Sequence, residues 1–273
     1  MKPLKILLSV CIVAALLAGC GQKEAIEEFK SQWIKLKHKP IENAVVGTDA
    51  PVSATIEVSE DITAVRLFLY YTAGDAPQEV VQLEFLESGD YFGAIPSQKR
   101  GTKVEYYLEA RAGRDLAVRV PKETERPGFT FIYKGTANQA VLVVHIVLLF
   151  VALLLFLLCG FLAFRALTHR RVVVDIPRLG FLGTVIFFIS AFPLGMIVAF
   201  QRYGTPWMGF PVGGDLTGNK SIVILLYWVA ASLLYRGSIM KRDPARDLFG
   251  RKPLPYIYLV GVILVVVIYL IPH

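Results

Sequence analysis

The chain has 273 residues, 55% of them hydrophobic, and a mean hydropathy of +0.53, which is too apolar for an ordinary soluble protein. Its net charge of +7 is not spread over a folded domain: Gly21–Asn138 holds 15 Lys and Arg against 18 Asp and Glu. The excess sits in Arg165–Arg178 (four basic, one acidic) and Arg236–Lys252 (six basic, two acidic), so a nucleic-acid partner, which needs a basic face on the fold itself, is not expected.

The chain begins with Lys2 and Lys5, about a dozen apolar residues and the exit Leu17-Ala18-Gly19-Cys20. A basic head, a short apolar run and small residues make a secretory signal rather than a span. The small pair followed by cysteine resembles the lipobox of bacterial lipoproteins. The resemblance implies a signal peptide at 1–19, cleavage before Cys20, a lipidated Cys20 and export of the chain beyond it. Retained instead, the segment adds one more anchor and leaves the next domain on the same side. Residues 20–40 are then a lipidated N-terminus and linker. Within Lys23–Lys37, Ile26, Phe29, Trp33 and Leu36 recur at helical spacing and predict an amphipathic helix. That helix lies either on the membrane surface or against the domain behind it. His38 reads as solvated.

After Pro40 the pattern changes to period two. Val65, Leu67, Leu69 and Tyr71 face opposite to Arg66, Phe68 and Tyr70, and Val104, Tyr106, Leu108 and Ala110 opposite to their neighbours. Such alternation predicts half-buried strands. Further strands are expected at Val52–Val58, Val80–Leu86, Tyr91–Ile95, Leu116–Val120 and Phe129–Tyr133, separated by Ala73-Gly74-Asp75, Ser88-Gly89-Asp90 and Ala112-Gly113-Arg114. Seven short strands predict an all-β sandwich over 41–136. Val65–Tyr71, Asp90–Pro96 and Val104–Ala110, in that order, resemble bacterial fibronectin-III/Ig-like modules. That resemblance implies a fold and leaves the function open. The three cysteines are Cys11, Cys20 and Cys159, so this region must stand without disulfides.

Residues 137–273 read as an α-helical membrane domain of four transmembrane helices, at about 140–164, 179–200, 221–240 and 256–271. The third reaches full length only if it runs past Arg236 to Met240. The fourth is short, with Tyr256, Tyr258 and Tyr269 as interfacial anchors. With the sandwich outside, both basic loops fall in the cytoplasm, as the positive-inside rule requires. The expected location is the bacterial inner membrane, with the lipid bilayer and a membrane protein as partners.

Two places in the membrane domain carry candidate chemistry. His145 lies about six residues into the first span, roughly 9 Å along the helix. An imidazole there is either a contact for haem, quinone or a proton, or a neutral side chain hydrogen-bonded to a neighbouring helix. The loop from Arg202 to Lys220 is dense in glycine and proline and carries Trp207, Asp215, Asn219 and Lys220. It is either a pocket near the headgroups or a set of helix caps and anchors. The Trp207–Lys220 pattern resembles loops in uncharacterised bacterial membrane proteins. No catalytic set, metal ligand set or cofactor is expected. The chain therefore reads as a non-enzymatic envelope protein that presents a sandwich to a membrane partner. An accessory subunit of a membrane redox complex, touching haem or quinone through His145 and the loop, is the alternative.

Overall fold

The computed structural model describes residues 27–30, 34–59, 64–113, 116–169, 176–213 and 215–271. Residues 1–26, which include the expected signal segment and Cys20, and His273 lie outside the described residues. The chain divides into two compact units, one ending at Tyr133 and the other beginning at Lys134.

The first unit is β-sandwich-like. One antiparallel sheet runs in the order β1 (Glu27–Lys30), β2 (Ile34–His38), β4 (Ala50–Val58), β8 (Asp90–Ile95), β7 (Glu84–Phe85). The other runs β3 (Ala44–Val45), β11 (Phe129–Lys134), β9 (Lys103–Ala112), β5 (Val65–Ala73), β6 (Glu79–Gln82), with β10 (Leu116–Val120) also on β9. The alternating residues of β5 and β9 do what their spacing predicts. Leu67, Leu69, Val104, Tyr106, Leu108 and Ala110 are buried in one core with Val52 and Ile95 of the facing sheet. The expected strand at 80–86 is broken at Leu83, which is buried and donates its N–H to Leu67 O, and there the chain leaves one sheet for the other.

The helix expected over Lys23–Lys37 is not formed. Glu27–Lys30 and Ile34–His38 are paired strands, and β2 pairs in turn with β4 from Ile34↔Val58 to His38↔Ala54. The apolar spacing of this stretch suits a helix, but Ile34, Leu36 and His38 also alternate, and all three are buried. Pairing with β4 decides between the two periods, which is how tertiary context overrides local pattern. His38 is therefore not solvated; it is 1% exposed.

Side-chain hydrogen bonds of His38, Tyr133 and Tyr91 cross between the two sheets. His38 Nδ1 lies 2.8 Å from Ser53 O, which can only accept, so Nδ1 carries the proton and Nε2 accepts the Tyr106 hydroxyl at 2.8 Å. The same hydroxyl accepts the Ile41 N–H at 2.9 Å. Tyr133 donates to Ile95 O at 2.9 Å and Tyr91 to Val65 O at 3.0 Å.

The second unit is helical. Its elements are α1 (Gln139–His169), α2 (Ile176–Ile189), a π-helical turn (Ser190–Leu194), α3 (Gly195–Tyr203), α4 (Leu216–Leu234), α5 (Arg236–Lys241) and α6 (Leu254–Leu270). Three helices are long and apolar enough to cross a membrane: Gln139–Thr168, Ile176–Tyr203 and Leu216–Leu234. α6 is shorter, 17 residues, or about 25 Å at 1.5 Å per residue.

The third apolar helix does not run from 221 to 240 as expected. It starts five residues earlier, because Asp215 caps it by accepting the Gly218 N–H at 2.7 Å. It ends at Leu234, where Tyr235 leaves helical geometry and Leu234 O is taken by Leu248 N–H at 2.8 Å. Asp247 then holds the backbone N–H of Ser238 at 2.7 Å and its hydroxyl at 2.5 Å, folding the basic segment back on α5.

The helices close on an aromatic centre. Phe156 of α1 stacks on Trp228 of α4 at 4.0 Å, and Trp228 meets Tyr258 of α6 at 5.7 Å. A Cβ on Gly180 of α2 would stand 2.5 Å from the Tyr258 ring, so only glycine admits that ring.

Candidate functional site

Pro193 has no N–H to give, and the turn around it widens: the Gly195 N–H reaches back five residues to Ser190 O. The chain therefore meets the proline with a π turn, and His145 of α1 docks there. Its Nδ1 lies 2.9 Å from Ser190 O, and the Ser190 hydroxyl donates to His145 O at 2.6 Å. Since a carbonyl only accepts, Nδ1 carries a proton. The ring is thus held by the neighbouring helical turn through Nδ1.

The Arg202–Lys220 loop is built from capping and close packing. Asp215 caps α4. Asn219 Oδ1 accepts the Phe210 N–H at 2.7 Å, and Trp207 Nε1 donates to Phe210 O at 3.1 Å. Trp207 also stacks on Phe192 of the π turn at 5.7 Å. The glycine density follows from this compactness. A Cβ on Gly209 would stand 2.8 Å from the Trp207 ring and 3.1 Å from Asn219 Oδ1. Asp215 does the capping and Asn219 holds the loop. Lys220 Nζ donates to Ile271 O at 2.6 Å, tying α4 to the end of α6.

The structure unites what the sequence offered as two separate places. A cleft of about 470 Å³ is lined by His145, Trp207, Asp215 and Lys220 together. Leu142, Ile146 and Leu149 of α1, Ile224 of α4 and Ile268 of α6 supply apolar wall. Asn219 stands behind the lining, as a prop for the loop. Arg202 also lines the cleft and was missed as a site residue. Its signal was there: an arginine in the last turn of a long apolar helix that a glycine terminates, with Gly204 at φ 78°. Met196 lines it as well. Among the described residues no group of three or more His, Cys, Asp or Glu is placed to hold a metal.

A second feature, which the sequence pattern did not reveal, lies on the outward positions of β5, β9 and β10. The Arg119 guanidinium sits 3.7 Å over the Tyr107 ring, which stacks on Tyr70 at 4.7 Å and 6°. Tyr70 accepts from Arg111 at 2.7 Å, and Arg111 lies 5.2 Å over Phe68. Glu109 holds the Arg111 Nε. Burial raises the Tyr107 phenol above its ordinary value against the opposing pull of Arg119. The result is a continuous ladder of arginines and aromatic rings on one sheet face.

No family model matches the chain, and no curated protein matches it. Among solved structures it is similar to a copper-bound variant of FetP from uropathogenic Escherichia coli. The two are 13% identical, over 42% of this chain and 94% of that one, with a TM-score of 0.25, a likeness that carries no argument about fold or function.

Proposed function

We propose that this chain is a non-enzymatic, membrane-anchored envelope protein that presents a β-sandwich for docking or assembly with a membrane protein partner. On this reading the sandwich is of the fibronectin-III/Ig-like kind, residues 1–19 are a cleaved signal and Cys20 is lipidated. α6 is a fourth span, its short apolar length extended by Tyr256 and Tyr269 near its ends. The two basic loops stay in the cytoplasm, and the sandwich works on the outer face of the inner membrane. Lipid and helices then confine it to the surface and raise its effective concentration for a partner in the same bilayer.

The observation that carries this reading is the ladder of Phe68, Tyr70, Tyr107, Arg111 and Arg119. Tyrosine and arginine are the residue types that dominate binding energy at protein interfaces. Here they are pre-ordered by stacking, so little entropy remains to be lost on docking. The test is benzoylphenylalanine at Tyr107 in intact cells, followed by irradiation. A discrete membrane-protein adduct is expected, and Arg111→Glu with Arg119→Glu should abolish it. An adduct indifferent to both substitutions ends the docking assignment. Topology is tested separately by reporter fusions at Arg100 and Ala245, expected outside and inside respectively.

The second reading, an accessory subunit of a redox complex, gains support from the single cleft that joins His145 to Trp207 and Lys220. A Soret band in the purified protein that His145→Ala removes, or a bound quinone that it releases, would favour that reading.

A further inference from the structure

The cleft has a polar mouth and an apolar wall, and the two ask for different things. Arg202 and Lys220 both line it, against one carboxylate, Asp215. That carboxylate is already engaged in capping, through Oδ2 to the Gly218 N–H. The Arg202 side chain takes no hydrogen bond or ion pair among the described residues. Lys220 is fixed at the mouth by its bond to Ile271 O. Leu142, Ile146, Leu149, Ile224 and Ile268 form an apolar wall, and these five side chains offer dispersion contacts only.

A small soluble anion would be held by the two cations but would leave the apolar wall against water. A neutral quinone would cover the wall and could accept hydrogen bonds from the guanidinium and the ammonium, but would leave their charge unmatched. A phosphate-bearing lipid satisfies both, since its charge matches the cations and its hydrocarbon matches the wall. About 470 Å³ falls within the size of small-molecule sites. It takes a headgroup and the upper part of one chain, the rest staying in the bilayer.

We propose that this cleft is a binding site for a phosphate-bearing lipid, with Arg202 and Lys220 taking the phosphate and the α1 residues Leu142, Ile146 and Leu149 receiving its chain. The proposal is independent of the docking reading and survives that reading's failure.

The test uses the full chain in mild detergent and reads bound lipid by native mass spectrometry, with Trp207 fluorescence as a second signal. The probes are dioleoyl phosphatidic acid, dioleoylglycerol, inorganic phosphate and decylubiquinone. Phosphatidic acid should be retained, and dioleoylglycerol, which has the same chains without the phosphate, should not. Arg202→Gln should weaken phosphatidic acid binding about tenfold, the loss of one charge-assisted hydrogen bond. Ala199→Phe, which puts a ring into the cleft, should block retention. Arg202→Gln removes no hydrogen bond or ion pair that the described fold makes, so it carries the test if Ala199→Phe misfolds. Equal retention of dioleoylglycerol overturns the proposal, as does unchanged affinity in Arg202→Gln. Inorganic phosphate that saturates the site as tightly as the lipid would make it a free-anion site instead. Displacement of the lipid by equimolar decylubiquinone would hand the cleft to the redox reading.

Discussion

In the sandwich the buried tyrosines and the buried histidine all give their hydrogens to partners. In the helical unit Trp228, Tyr235 and Tyr258 bury an indole N–H and two hydroxyls with no partner among the described residues. Both regions have dense aromatic centres, so the difference does not lie in ring packing. The sandwich core forms out of water, where an unpaired buried polar group is costly, and its cross-sheet bonds also fix how one sheet sits on the other. The helical centre is assembled by shape: glycines make room, rings fill it, and the hydroxyls ride on rings chosen for their volume.

Among changes that keep every aromatic ring, the largest effect is expected from breaking the sandwich network. Tyr106→Phe keeps the ring and removes the one oxygen shared by the Ile41 N–H and His38 Nε2. His38 stays buried and the half-buried Ile41 N–H loses that acceptor, so the sandwich should lose about 2 kcal/mol. Denaturant unfolding of the purified full chain, followed by near-UV circular dichroism, measures it. An unchanged midpoint would mean that the network does not hold the sheets in register.

Alkali should weaken the same unit. Burial, aided by the hydrogen bond to Glu79, pushes the Tyr71 phenol from 10.0 up to about 12. The unfolded chain therefore releases this proton first. Stability is fully present below pH 10 and is lost as the pH rises towards 12. Unfolding midpoints taken across that window should fall in the native protein and fall less in Tyr71→Phe. A parallel fall in both would assign the alkaline loss elsewhere.

In the helical unit the matching break is steric. Gly180→Ala sets a methyl against the Tyr258 ring, 2.5 Å away before relaxation, and overpacking of this kind costs about 1–3 kcal/mol. A lower thermal midpoint in detergent is expected, partly recovered by Tyr258→Leu in the same chain. No recovery would place the strain outside this contact.

Much of this contrast could be read from residues alone. The strands around Leu67–Tyr71 and Val104–Ala110 were legible because a strict period of two fits no helix, and the apolar runs because length and hydropathy leave few alternatives. β2 was not legible, since Leu36 belongs to both the helical series and the alternating one, and only its pairing with β4 breaks the tie. The burial of His38 follows from that same pairing. The cleft was half legible: His145, Trp207, Asp215 and Lys220 stood out by type. Nothing local shows that a π turn at Pro193 and a cap at Asp215 bring α1 and the loop to one cavity. Arg202 escaped because an arginine ending an apolar helix usually marks only the membrane boundary.

The smallest expected effect is the one that sharpens the comparison most. Tyr258 is 1% exposed, its ring meets Trp228 and Tyr235, and its hydroxyl has no partner among the described residues. If shape alone assembles the helical unit, Tyr258→Phe removes an unpaired polar atom and leaves every ring contact in place. Its stability should then stay within about 0.5 kcal/mol of the native value or rise slightly, because an unpaired buried hydroxyl is itself unfavourable. Tyr258→Ala, which removes the ring, should cost about 3–5 kcal/mol. Thermal unfolding in one detergent, with helicity as the readout, compares the pair directly. A Tyr258→Phe penalty as large as that of Tyr106→Phe would mean that the hydroxyl is bonded in the working protein. The two units would then follow one rule for buried tyrosine hydroxyls rather than two.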